Sequence, residues 1–169
     1  LYFNGLLLIN VMKMFYNIQG LRAIAVISVI LFHYQVEYFG GGFLGVDIFF
    51  VISGYLMTLI LDKKINYKTI LEFYLKRIKR ILPALLFVVF ISLILGFLLI
   101  SENSFERIGK TTLSSIFFVS NFYLWREWGY FDLYSLNKPL LHTWSLSLEM
   151  QFYLIFPILL LYSSNNHFL

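Results

Sequence analysis

The chain has 169 residues, of which 60% are hydrophobic, 20% aromatic and 13% charged, against about 45 to 50% apolar and about 25% charged in an ordinary soluble domain. A globule of this size cannot hide so many apolar runs in its core, which excludes an ordinary water-soluble protein. The formal charge of +4 is too dispersed to mark a nucleic-acid partner, and the absence of cysteine excludes a disulfide framework, a thiolate nucleophile and a Cys-based metal site.

Residues 1 to 12 carry no charge ahead of Lys13 and are read as a non-native or upstream extension, with Met12 and Met14 as candidate starts. A cleaved signal peptide does not fit, because the following segment carries Arg22 and His33 and lacks a small-residue cleavage site. From residue 13 onward the chain reads as a polytopic all-α transmembrane bundle. The first span is expected at Ile18 to Tyr38 and the second at Phe43 to Leu61, with the breaker Gly40-Gly41-Gly42 forming a tight hairpin between them. Ile81 to Ile100 holds no charge and is the clearest span. Thr111 to Trp125 is apolar enough only in part; Thr111, Thr112, Ser114, Ser115, Ser120 and Asn121 require it to face protein or to be re-entrant. A fifth span is expected at Thr143 to Tyr162, giving about five helices.

Seven of the thirteen basic residues, Lys63, Lys64, Lys68, Lys76, Arg77, Lys79 and Arg80, lie between the second and third spans. The positive-inside bias places that stretch in the cytoplasm, and with it the N-terminus carrying Lys13. The glycine hairpin and Ser101 to Lys110 are then external. Strict alternation makes the Arg126 to His142 loop cytoplasmic, although its balanced charges leave its side open.

An ionisable group at membrane depth costs several kcal/mol and marks a functional candidate unless a partner explains it. Arg22, His33, Asp47 and Glu149 qualify. Arg22 and His33 are eleven residues apart on one helix, three turns plus about 20°, so they line one face about 16 Å apart. An arginine near one surface can hold phosphates through forked, charge-assisted bonds, and a dehydrated histidine can take a proton from a hydroxyl. The plain alternative is that Arg22 snorkels to the headgroups and His33 bonds a neighbouring helix. Asp47 either orients His33 across the hairpin or reaches water at the interface. Gly45, Ser53 and Gly54 read as close helix packing, since no nucleophile elbow surrounds Ser53.

In Lys76-Arg77-Ile78-Lys79-Arg80, the two arginines share a helix face and can grip a multiply charged phosphate, although such clusters also serve topology alone. Pro83 marks a helix start or a kink. Glu149 has Ser145 four residues before it and Tyr153 four after it on the same face, the partners a buried carboxylate needs. His142 reads as interfacial, His167 receives no role, and no metal site is expected.

Five ordered blocks carry a family resemblance: YNIQGLRAIAVISVILFHY, GGFLGVDIFFVISGYLMT, FYLKRIKRILPALL, SNFYLWREWGYFD and KPLLHTWSLSLEMQFYLIFP. From about Tyr16 to Leu161 the chain resembles the N-terminal half of the acyltransferase-3 family of integral membrane O-acyltransferases, which move acyl groups, most often acetyl, onto extracytoplasmic glycans. The resemblance puts the family's R-x10-H signature on Arg22 and His33, its R-x-x-R signature on Arg77 and Arg80, and its glutamate on Glu149; Met150 stands where many members have a second acid. It implies His33 as base, Glu149 as a supporting residue, and Arg22, Arg77 and Arg80 as ligands of acyl-coenzyme A; Asp47 remains a catalytic candidate from its place beside the hairpin alone. No bound cofactor is implied.

The family's membrane domain has about ten helices, so residues 13 to 169 correspond to its first half, and this stretch is expected to be inactive without the other. The implied partners are membrane lipid, acyl-coenzyme A, a glycan acceptor and the missing C-terminal half. The implied location is the bacterial cytoplasmic membrane. Two rival classes are a transporter or flippase whose polar face performs no chemistry, and a structural membrane subunit that tolerates replacement of Arg22 and His33.

Overall fold

A computed structural model describes the backbone of residues 2–61, 66–99, 101–127 and 140–166. Lys63, Lys64, His167 and most of the Arg126 to His142 loop lie outside the described residues. All regular structure among the described residues is helical: α1 (Tyr2–His33), α2 (Gly45–Leu61), α3 (Tyr67–Leu99), α4 (Glu102–Ile116), α5 (Ser120–Glu127) and α6 (Thr143–Asn166). Four segments among the described residues are long and apolar enough to cross a membrane: Tyr16–His33, Gly42–Leu61, Tyr67–Leu99 and Thr143–Ser163. Large apolar side chains point outward along them, among them Ile27, Phe87, Phe90 and Ile158. A helix apolar all round belongs in lipid, so the expected membrane bundle is the fold observed.

The chain divides into two compact units, the first built on α1 and α2 and the second on α3 to α6. In the first unit α1 runs unbroken from Tyr2, so no helix boundary separates residues 2 to 12 from the remainder of α1. The helix stops at His33, five residues before the expected end at Tyr38. It closes with paired bonds from Gln35 N–H to the Phe32 carbonyl and from Val36 N–H to the Leu31 carbonyl, both at 3.0 Å, with Gln35 in the left-handed region at φ 54°. This is a Schellman end built without glycine. The glycine hairpin then leads through a 3-10 turn, Gly42–Leu44, into α2.

Two glycines set how closely α2 approaches α1. A Cβ on Gly42 would collide with the Ser28 carbonyl oxygen and come within 2.8 Å of Phe32 Cβ. A Cβ on Gly45 would collide with the Ala25 carbonyl oxygen and come within 2.8 Å of a Val29 methyl. The small residues therefore seat α2 directly on the α1 backbone.

In the second unit α3 is 33 residues long, about 50 Å at ~1.5 Å per residue, whereas the hydrocarbon core is about 30 Å thick. Of the two expectations for Pro83, a helix start or a kink, the start does not hold: the helix begins at Tyr67, where Asn66 Oδ1 accepts a 2.8 Å bond from the Thr69 N–H and caps it. Pro83 lies inside α3, and the cationic cluster occupies a helical turn below the apolar span.

The expected fourth span is not one helix. It breaks at residues 117–119, where Phe118 N–H bonds the Ser115 carbonyl at 3.1 Å and Val119 N–H bonds the Ser114 carbonyl at 2.8 Å. Phe118 takes φ 54°, a second Schellman end without glycine. Neither α4 nor α5 alone has the length and apolarity of a span. Phe118 packs beside the buried cluster of Leu85, Val89 and Leu140, together with Ile116 and Leu146. The expectation that this segment faces protein holds, since Thr111, Thr112, Ser114, Ser115 and Ser120 are buried.

Helices α3 and α6 are antiparallel: the Tyr74 hydroxyl donates to the Leu154 carbonyl at 2.8 Å, while Leu85 and Val89 cluster with Leu140 and Leu146. By contrast, α4 and α5 pair with α6 in rising order, through Ser115 with Thr143, Ser120 with Ser147 and Asn121 with Gln151. The strict alternation of five single spans is therefore not followed. The C-terminal part of α6 lies at the same end of the unit as the cationic turn of α3.

Candidate functional site

Arg22 and His33 are both half-buried on α1. The Arg22 guanidinium carbon lies 6.0 Å from the Phe49 ring centroid on α2, within cation–π range. His33 is the last residue of α1 and ends the apolar segment. Its Nδ1 lies 2.7 Å from the Val29 carbonyl oxygen, one turn back. A carbonyl only accepts, so this bond puts the ring proton on Nδ1 and leaves Nε2 as the basic nitrogen of the neutral imidazole. Phe32 holds the ring edge-to-face at 5.3 Å. The orienting bond on Nδ1 thus comes from backbone. Asp47 is exposed in the first turn of α2, where a carboxylate favours the helix dipole.

The two arginines of the cationic turn differ. Arg80 is exposed, as are Lys76 and Lys79, whereas Arg77 is half-buried. Its guanidinium carbon lies 5.2 Å from the Phe73 centroid and 4.7 Å from the Tyr153 centroid, beside the place where these rings of α3 and α6 meet. Those rings meet edge-to-face at 5.8 Å and 88°. A guanidinium held against ring faces keeps its N–H donors in its own plane, available to an anion.

Glu149 is half-buried on α6 and accepts a 2.5 Å bond from the Tyr153 hydroxyl. Of its two expected partners, Tyr153 supplies this bond, while the Ser145 hydroxyl donates to the His142 carbonyl at 3.1 Å. The R-x-x-R turn and the glutamate block, about seventy residues apart in sequence, thereby meet through Tyr153.

A further face of α6 was not legible as a unit from the sequence. Thr143, Ser147 and Gln151 recur every four residues and hold the α4–α5 break. Thr143 Oγ1 lies 2.8 Å from Ser115 Oγ, Ser147 Oγ lies 2.7 Å from Ser120 Oγ, and Gln151 exchanges bonds of 2.9 and 3.0 Å with Asn121. Gln151 Nε2 also donates to the Phe118 carbonyl at 2.8 Å. The usable signal was polar residues at a spacing of four in an otherwise apolar helix. Among the described residues no three His, Asp or Glu side chains gather as a metal site.

Residues 15–168 match a family model described as an acyltransferase domain. The chain is 43% identical over 150 residues to O-acetyltransferase OatA of Staphylococcus aureus strain NCTC 8325 / PS 47, covering 85% of this chain and 24% of that protein. The identity and coverage are the same, 43%, 85% and 24%, for O-acetyltransferase OatA of Staphylococcus aureus strain COL. The chain thus spans about a quarter, 24%, of the length of the curated relatives it matches. No solved structure matches it.

Proposed function

Because this chain belongs to the acyltransferase 3 family, we propose that the intact protein is a membrane O-acyltransferase that moves an acyl group, acetyl in the simplest case, from cytoplasmic acyl-coenzyme A to a hydroxyl of an extracytoplasmic glycan. The observation that carries this reading is the 2.7 Å bond between His33 Nδ1 and the Val29 carbonyl, because it fixes the tautomer in which Nε2 is the proton-accepting nitrogen. The O-acetyltransferase names of the relatives support the acyl group and the oxygen acceptor.

In this reading the charge asymmetry sets orientation. The cationic turn of α3 faces the cytoplasm of a bacterial cell, and α1 enters from that side. Arg77 and Arg80 hold the phosphates of the donor. Arg22 is a separate candidate ligand of the donor, from the family's R-x10-H signature. The thioester enters the membrane domain, and His33 Nε2 accepts the proton of the acceptor hydroxyl as its oxygen bonds the acyl carbon. The carbon–sulfur bond breaks, and the imidazolium returns that proton to the departing coenzyme A thiolate. Glu149 keeps the supporting role that the family's glutamate signature implies for it. The intact protein supplies membrane partners beyond this stretch, without which the charged groups at depth are uncompensated and the stretch is inactive.

Mass spectrometry of surface glycans from cells with and without the gene tests the reading. Acyl esters that vanish with the gene support it. Unchanged esters, or a change in glycan export with no change in acylation, contradict it and favour a transporter.

A further inference from the structure

We infer that Tyr153 is a positioning residue that serves Arg77 and Glu149 together, its ring face holding the guanidinium and its hydroxyl holding the carboxylate. This rests on the proposed roles of those two residues and assigns a new one to the side chain between them.

Three observations converge on Tyr153. It is only 4% exposed, so its place is fixed by packing rather than by solvent. Its ring centroid is 4.7 Å from the Arg77 guanidinium carbon, and the neighbouring Phe73 ring, 5% exposed and 5.8 Å from that of Tyr153, adds a second contact at 5.2 Å. Its hydroxyl donates to Glu149 Oε1 at 2.5 Å. A phenylalanine fills nearly the same volume, so packing alone does not call for the hydroxyl. Leucine or methionine fills an apolar helix contact as well, so packing alone does not call for the ring.

The two roles reinforce each other. A phenol that donates to a carboxylate is polarised toward oxygen, which makes the ring face more attractive to a cation. The cation lies on the face and the carboxylate at the ring's edge, so neither displaces the other. Arg77 is half-buried while Lys76, Lys79 and Arg80 are exposed, so the ring selects one cation of the four and holds its planar donors in a set orientation. Tyr74 bonding the Leu154 carbonyl at 2.8 Å keeps α3 and α6 in register around this contact.

The test uses the intact protein in nanodiscs, with Tyr153→Phe, Tyr153→Leu, Arg77→Leu and Glu149→Gln. With acetyl-coenzyme A as donor, Tyr153→Phe is expected to keep KM within about twofold and to lower kcat by about tenfold or more, the usual scale of a hydrogen bond to a charged group. Tyr153→Leu is expected to raise the dissociation constant of coenzyme A by about fivefold in addition. Combined with Arg77→Leu it should add nothing further, as for residues acting through one contact.

Wild-type kinetics from Tyr153→Phe overturn the hydroxyl role, and full additivity of the two leucine variants overturns the ring role. Two arms are independent of turnover. Coenzyme A binding judges the ring even if no acyl transfer occurs, an outcome that sinks the proposed activity alone. Infrared carboxylate bands, assigned by their loss in Glu149→Gln, must shift in Tyr153→Phe; unshifted bands overturn the inference whatever the protein binds.

Discussion

Ser120 Oγ and Ser147 Oγ lie 2.7 Å apart, both fully buried, and join α5 to α6 immediately after the break that ends α4. Ser120 N–H reaches the same Ser147 oxygen at 3.3 Å, so one hydroxyl serves both the side chain and an otherwise orphaned helix-start donor. Ser147→Ala is expected to destabilise the protein by about 1 to 2 kcal/mol, because the buried Ser120 N–H and hydroxyl both lose the Ser147 oxygen, the hydroxyl keeping only Thr143 at 3.1 Å. Ser147→Leu adds overpacking and costs more. Thermal unfolding in detergent checks both, and equal midpoints for wild type and Ser147→Leu would show that the seam does not hold α5 in place.

The close seat of α2 on α1 predicts sharp differences among neighbouring glycines. Gly45→Ala puts a Cβ against the Ala25 carbonyl and should lower stability by about 1 to 3 kcal/mol, as overpacking does. Gly40→Ala and Gly41→Ala meet nothing within 4 Å and should be close to neutral. Unfolding midpoints of the three variants, measured side by side, check the contrast.

The long apolar helices were the most legible part of the chain. Ile81 to Leu99 and the α1–α2 hairpin follow from apolar run length and a triple glycine, signals that need no tertiary information. The break at Phe117-Phe118-Val119 was not legible, because both Schellman ends place an ordinary residue, Gln35 or Phe118, where a glycine would have announced the turn. Phe118 holds that conformation because its ring joins the Leu85 and Val89 cluster and its carbonyl meets Gln151. The start of α3 was missed for a different reason. The apolar run marks only the part of α3 that spans the membrane, whereas its start is set by Asn66 and Thr69, which carry a helix-cap pattern well before that run.

Among the candidate residues, the shared helix of Arg22 and His33 and the pairing of Glu149 with Tyr153 were readable from spacing. The approach of Arg77 to Tyr153 was not, because it depends on the antiparallel register of α3 and α6 across seventy-odd residues of chain.

Burial separates the two arginines of the cationic turn. Arg77→Lys trades a planar cation in contact with two adjoining rings for a point charge and should raise the donor KM by about fivefold or more. Arg80→Lys keeps an exposed positive charge and should change KM by less than about twofold. Steady-state kinetics with acetyl-coenzyme A decide the matter, and equal effects at the two positions would remove the distinction.

The exposed pair of Glu106 and Lys110, 2.8 Å apart and four residues apart on α4, offers a control outside the site. The hydrogen bond from Lys110 holds the Glu106 carboxyl below its ordinary value, and the same bond holds Lys110 above its own. A depressed carboxylate contributes stability that is present above its ordinary pKa and is lost as pH falls through the depressed value. An exposed pair contributes little, so Lys110→Ala should leave the unfolding midpoint and the acyl transfer rate at neutral pH unchanged.

The most direct test of the account is replacement of His33 by alanine in the intact protein, with acyl esters on the surface glycan and protein abundance in the membrane as the two readouts. The account predicts wild-type abundance with acylation abolished, because the substitution removes the basic nitrogen that the Val29 bond sets on this imidazole. Acylation retained at a wild-type rate by His33→Ala would contradict it.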